Sequence, residues 1–279
     1  MLEIGRLREL AFRTGGGGTG LDCDLDSFDT DKVCYQQLLV WNPVDKEIVG
    51  GYRFILIRDA EKDTKGSPRL STSHYFRFSE KFIKEYAPYT IELGRSFIQP
   101  MYQPSMGNRK GLFSLDNLWD GLGSMHIDNP DQKYFFGKVT MYTDFNRQAR
   151  DMVLYFMEFY FPDTEKLALP HKPLSYETDI SEFKALLKKD MPYKEAHAIL
   201  NQSVRKLGEN IPPLINAYMN LSPTMKSFGT ALNTDFGGVE ETGIMVKIAD
   251  IYPSKTERHI TSYKTVSYTH LTLPTNREV

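Results

Sequence analysis

Glu92 and Arg95 stand three residues apart in the apolar stretch TIELGRSFI, and their types and spacing could do chemistry. Over 90–98 the residues alternate, Ile91, Leu93 and Phe97 against Glu92, Gly94 and Ser96, which is the period-two pattern of a strand. Strict alternation puts Glu92 and Arg95 on opposite faces. A bulge at Gly94, the residue best able to take the required backbone angles, would turn both to one side and free backbone amides among Gly94, Ser96 and Phe97. Beyond Pro100 and Pro104, a turn over 107–111 carries Arg109, Lys110 and Gly111, and Leu115, Leu118, Trp119 and Leu122 then recur at helical spacing. A helix therefore starts beside two cations. Free amides near a buried Glu–Arg pair, with a helix N-terminus aimed at the same cleft, suit an anionic ligand with a reacting carbonyl, and acyl transfer from a thioester fits. The competing reading is a structural ion pair in an ordinary strand.

The elements that must position these residues follow from periodicity. A first helix, with Ile4, Leu7, Leu10 and Ala11 on one face, ends at the glycine run from Gly15; GGGGTG lacks the GK[ST] ending of a nucleotide loop and reads as a flexible loop. Asp22, Asp24, Asp26 and Asp29 lack the glycine and terminal glutamate of a calcium loop and read as a solvated, helix-capping turn. Strands over 36–41 and 47–57 flank a hairpin turn at 42–46, with Arg53 either an edge charge or a ligand contact. Phe76, Phe78, Phe82 and Ile83 supply core, or the lining of an acyl tunnel. A strand over 134–145 precedes a helix over 146–161 that Pro162 ends; Arg147 and Arg150 oppose its dipole and are either solvated charges or await an acidic partner. A linker over 163–178 leads to helices over 180–189 and 193–207, where Lys184, Lys188, Lys189 and Lys194 form a basic patch for a carrier protein or anionic lipid, or simply a solvated face. Pro212 and Pro213 open a helix through Tyr218, and strands over 230–236 and 243–251 close the fold.

Composition narrows the class. The chain has 279 residues, 41% hydrophobic and 25% charged, which suits a globular protein with a real core. With 34 basic against 36 acidic side chains, nonspecific nucleic-acid binding is not indicated. Cys23 and Cys34 form no CxxC pair and the histidines no HExxH, so neither a disulfide scaffold nor a metal site is expected. No secretory signal or membrane-length apolar run is read, so a cytoplasmic location is expected. His126 to Asp131 (HIDNPD) fits the HxxxxD pattern of glycerolipid O-acyltransferases, in which a histidine–carboxylate pair deprotonates a hydroxyl. Its usual FPEG companion is represented only by Phe161-Pro162-Asp163-Thr164, too close and altered, so O-acyl transfer stands as the alternative activity.

The ordered segments Leu7 to Phe12, Asp24-Leu25-Asp26-Ser27-Phe28-Asp29, Ile48-Val49-Gly50-Gly51-Tyr52-Arg53, Glu92-Leu93-Gly94-Arg95, Leu118-Trp119-Asp120-Gly121-Leu122 and Ile211-Pro212-Pro213-Leu214 with Tyr218 carry a resemblance. Up to about Ile251 the chain resembles the ornithine and glycine N-acyltransferases of bacterial aminolipid synthesis (hemolysin-like), which belong to the GNAT superfamily and are related to the acyl-homoserine-lactone synthases. The resemblance implies an α+β, mixed α/β fold in one domain over 1–263, with a central mixed, mostly antiparallel sheet flanked by helices and two strands that diverge into a V for the thioester arm. It implies transfer of a 3-hydroxyacyl chain from acyl carrier protein to an amino acid's amine, glycine first and ornithine second. Glu92 would be the base and Arg95 would orient it or bind the amino acid's carboxylate. Gly94, Ser96 or Phe97 would hold the oxyanion, Arg109, Lys110 and Gly111 the donor phosphate, and Arg53, Tyr218, Asp235 and Phe236 would face the acceptor. The glycine loop would close over it. The acetyl-CoA signature Q/RxxGxG/A is not cleanly present, since Gln103 precedes Gly107 by one residue too many and Arg109 lacks the glycines. That favours acyl-phosphopantetheine on carrier protein as donor substrate, with no bound cofactor and no metal. Peripheral contact with the inner membrane stays open, as do a non-catalytic acyl-binding domain and a lactone-forming synthase. The run from Val266, VSYTHLTLPTNREV, resembles translated sequencing-adapter read-through, and 264–279 is set aside as non-native.

Overall fold

The computed structural model describes residues 1–103 and 114–261. Helix α1 (Leu2–Thr14) buries Ile4, Leu7 and Ala11 against Phe97, as its apolar face requires, and stops where the glycines begin. Asp26 caps the short α2 (Ser27–Thr30), accepting a hydrogen bond from the Phe28 amide in a reciprocal box with Asp29. The hairpin of β1 (Gln36–Asn42) and β2 (Glu47–Leu56) turns where the Asn42 side chain accepts from the Val44 and Asp45 amides. Next come β3 (Phe76–Phe78), β4 (Thr90–Ile98), α3 (Ser114–Asp128), β5 (Tyr134–Met141) and α4 (Arg147–Tyr160), the last capped by Asn146. Strand β6 (Ala168–Pro170) lies in the stretch expected as a linker; it pairs with β3, and Leu167 beside it is fully buried. Helices α5 (Ser181–Leu186), α6 (Tyr193–Lys206) and α7 (Pro213–Met219) lead to β7 (Lys226–Asn233), β8 (Val239–Lys247) and α8 (Pro253–Thr256).

Six strands form one sheet in the order β1-β2-β4-β5-β8-β7, antiparallel throughout except for β4 beside β5. The expected α+β architecture is therefore present, with a mixed, mostly antiparallel sheet flanked by helices. The closing strands begin four residues earlier than the alternation suggests, because Lys226 to Phe228 already pair or pack beside Met245 and Ile244. On one face, Val139, Met141, Ile244 and Val246 pack with α4, α6 and α7, and Ile91 and Phe135 pack with α3. The opposite face carries Phe28, Phe76, Phe82, Phe136 and Phe228, so these aromatics are core.

Candidate active site

The parallel pairing of β4 with β5 lasts only three residues, Thr90 with Tyr134, Ile91 with Phe135 and Glu92 with Phe136. Beyond it no further pairs form between the two strands, and a gap opens in the middle of the sheet. Its vertex is tight: a Cβ on Gly137 would stand 2.8 Å from the Leu93 carbonyl oxygen, so only glycine allows this approach. A cleft of about 650 Å³, counting its open mouth, enters there. Its walls come from both faces of the sheet, Leu93, Trp119, Leu122 and Val246 on the helical side and Arg95 and Lys138 on the other. An apolar slot passing strand edges to a pair of cations can take an acyl chain on a polar arm.

The bulge exists, but Gly94 does not supply the unusual backbone angles. Arg53 pairs with Gly94 and Gly51 with Phe97, so Arg95 and Ser96 of β4 oppose only Tyr52 of β2. Arg95 is the left-handed residue, with φ 53°. That conformation costs a non-glycine residue about 1–2 kcal/mol. Its side chain is held in return, Nε 2.9 Å from Asp24 Oδ2 and the guanidinium 4.4 Å from the centre of the Phe236 ring. Glu92 and Arg95 do come to the same face, as a bulge should make them, but they form no ion pair with each other.

Glu92 has no exposed surface. Its carboxylate accepts from the Tyr35 hydroxyl, from Ser71 Oγ at 3.0 Å and from the Thr72 amide at 3.1 Å. Burial pushes this carboxyl above the usual carboxylate range, against the pull of those three donors. The Tyr35 hydroxyl also accepts from the Ser71 amide at 2.9 Å, and burial beside Glu92 drives its phenol well up.

Around Arg95 lies a network that spacing alone did not reveal. Asp29, expected in a solvated turn, is buried and receives Arg8 at 2.7 Å and Arg53 at 2.9 Å. Asp26 takes both Arg53 Nη atoms, and Asp24 bridges Arg8 and Arg95. Burial raises the Asp29 carboxyl, but the two guanidiniums outweigh it and hold it at about 2. The capping expected of this turn is present and Asp22 stays exposed, but Asp24, Asp26 and Asp29 each meet a guanidinium brought from another element. Arg53 sits in this network between the Phe28 and Tyr35 rings and does not line the cleft.

Other expected residues divide. Gly94, Ser96 and Tyr218 line the cleft, Tyr218 edge-on to Trp119 at 5.2 Å with its phenol pushed by burial to about 12. Phe97 turns into the α1 core. Asp235 is exposed in the β7–β8 turn, while neighbouring Phe236 is buried under Arg95. Arg109, Lys110 and Gly111 lie outside the described residues. The glycine loop packs on the cleft's polar side: Cβ positions on Gly15 and Gly17 would meet Tyr142, and Gly17 also Phe236. Glu9 organises the loop, accepting from the Thr19 amide and hydroxyl and from the Gly20 amide.

Arg150 is wholly buried, its guanidinium bound to Glu240, Asp151 and the Ser175 carbonyl, and Arg147 bridges Glu177 and Glu240. The acidic partners these arginines need are in the chain itself, so neither a carrier protein nor solvation is required to explain them. Asp131 of the HxxxxD pattern is taken up by Arg58.

Sequence reasoning missed Lys138 and Glu241. Lys138 Nζ contacts Glu241 Oε1 at 2.5 Å and lies 4.8 Å from the centre of the Tyr75 ring; Glu241 also accepts from Thr140 Oγ1 and Asn233 Nδ2. Charged residues inside the two strand patterns, FFGKVTM and VEETGIMVK, were the available signal. No group of side chains suited to a metal ion occurs among the described residues. Likewise, no described helix is long and apolar enough to cross a membrane.

Residues 7–109 match the model of the acetyltransferase (GNAT) domain. The chain is 56% identical over 263 residues to the glycine N(alpha)-acyltransferase of Bacteroides thetaiotaomicron, covering 94% of this chain and 78% of that protein. It is 55% identical to the glycine N(alpha)-acyltransferase of Phocaeicola vulgatus, covering 94% and 80%. No solved structure matches the chain significantly. Identity of this order along nearly the whole length, joined to a sheet split beside ELGR, means that the chain belongs to this GNAT family of bacterial N-acyltransferases.

Proposed function

We propose that this enzyme moves a 3-hydroxyacyl chain from the phosphopantetheine thioester of acyl carrier protein to the α-amine of glycine, as a step in aminolipid synthesis. The observation that carries the reading is the gap between β4 and β5, with an apolar slot on one side and Arg95 and Lys138 on the other. The donor's thioester arm enters from the helical side, its amides meeting unpaired backbone groups of β4, while the amino acid waits on the polar side. Glycine as acceptor rests on the names of the two relatives.

The amine attacks the thioester carbonyl directly in a ternary complex, without a covalent acyl-enzyme. Before attack the ammonium gives its proton to Glu92, whose burial raises its affinity for one. Glu92 is enclosed, so the proton reaches it through the Ser71 hydroxyl, which donates to Glu92 and stands 3.8 Å from where a Gly94 Cβ would be. Backbone amides around Gly94 and Ser96 hold the tetrahedral oxyanion, and as it collapses the departing thiolate takes up the second proton shed by the attacking nitrogen, leaving the amide and holo carrier protein. Mass spectrometry of lipids from cells expressing the chain, beside cells expressing Glu92→Gln, tests this. An acylglycine formed only with the unaltered chain is expected. Acylated ornithine instead would change the acceptor, and no new amide would overturn the assignment.

A further inference from the structure

Lys138 is charged in the middle of a central strand, at the point where the sheet has just parted. It lines the cleft together with Arg95, and the two side chains are only 11% and 15% exposed. Across β8 stands Glu241, itself 2% exposed, which holds Lys138 and is in turn fixed by Thr140 and Asn233. The other carboxylates in reach of this corner are already engaged, Asp24 by Arg8 and Arg95 and Asp26 by Arg53 and Arg95. The buried side-chain oxygen of Asn233 accepts no hydrogen bond among the described residues. Two cations, one carboxylate and an unused acceptor thus meet at the polar end of the cleft. A buried lysine in a strand is an expensive way to build a core, and replacing such a pair by apolar residues commonly costs no stability. Its place at the gap gives it another use.

Resting on the N-acylation reading above, we propose that Lys138 and Glu241 form the acceptor's specificity element: Lys138, with Arg95, binds the amino acid's carboxylate, and Glu241, with Asn233, receives its ammonium. A zwitterion matches this pattern because its own two charges replace those that Lys138 and Glu241 now present to each other. The carboxylate seated between Lys138 and Arg95 fixes which way the nitrogen points along the cleft. No bond is made or broken in this step. Glu241 touches the ammonium without taking its proton, and Lys138 acts in binding alone.

The test compares glycine with glycinamide, which has the same amine and size but no carboxylate charge, using 3-hydroxypalmitoyl-acyl carrier protein as donor. Removing one charge-assisted hydrogen bond should raise KM for glycine roughly tenfold to a hundredfold in Lys138→Met, with kcat less affected. The same variant should change KM for glycinamide by less than about threefold, and Lys138→Arg should recover part of the loss for glycine. The double variant K138M/E241Q, which leaves no unpaired buried charge, guards against simple misfolding; losing Glu241 weakens both acceptors, but the preference for glycine over glycinamide should fall by the same factor as in Lys138→Met. An equal loss for both acceptors, or an unchanged KM for glycine, overturns the proposal. Unaltered enzyme that acylates neither acceptor overturns the function itself and this inference with it.

Discussion

Glu92 and Asp29 are both buried carboxylates on the same side of the sheet, linked through Tyr35 and Arg53, yet their surroundings drive them in opposite directions. Around Glu92 the donors are neutral, two hydroxyls and an amide, and burial wins, so its carboxyl is raised. Around Asp29 two guanidiniums outweigh burial, so its carboxyl falls to about 2. Two buried carboxylates thus become a group disposed to take a proton and one that remains an anion, according to whether neutral donors or guanidiniums face them. The first can serve proton transfer; the second ties α1, α2 and β2 into the wall behind it.

Asp29→Asn should have the largest effect, since it leaves Arg8 and Arg53 buried with too little negative charge. A loss of about 3–5 kcal/mol is expected, read as a lower urea midpoint. The pH dependence sharpens the contrast. With the folded value about 2 and the ordinary one 3.8, the unfolded chain binds more protons through Asp29 in that window, so stability rises with pH there. Asp29→Asn should flatten that rise. Glu92 has the opposite sign: its folded value lies above 4.5, so the folded chain holds the extra proton and stability falls as pH climbs from there.

Glu92→Gln should remove that fall, measured as urea midpoints across pH, and should slow acyl transfer at saturating substrates by roughly a hundredfold or more. An unchanged rate would end the base assignment and leave Glu92 as an anchor for β4. Smaller is the effect of Gly137→Ala, which pushes a methyl against the Leu93 carbonyl at the vertex. A stability loss of about 1–3 kcal/mol is expected by thermal unfolding, along with weaker donor binding as the gap is displaced. Least of all, Asp131→Asn should leave melting temperature and turnover unchanged, because Asp131 belongs to an exposed pair with Arg58. A large loss of activity there would revive the histidine–carboxylate chemistry of an O-acyltransferase.

Much of the fold was legible because its signals are local. Alternation located β1, β2, β4 and β5 to within a residue or two at most ends, and Pro213, Asn146 and the glycines after Thr14 marked helix ends. The site was legible only in part. ELGR announced a bulged strand, but that Arg95 rather than Gly94 takes the left-handed angles depends on Asp24, 71 residues away. Arg150 looked like a surface charge until β8 brought Glu240, 90 residues on, against it. Lys138 gained meaning only through Glu241, 103 residues distant.

By itself the sequence determined which stretches are strands and helices, where they stop, and that Glu92 and Arg95 share a bulged strand, because backbone sterics and side-chain periodicity act over a few residues. Which charges are buried, which carboxylate is raised and which is lowered, and where the sheet opens were decided only in the folded chain. Those properties depend on desolvation and on the partner that meets each charge, and the chain sets both by bringing distant segments together.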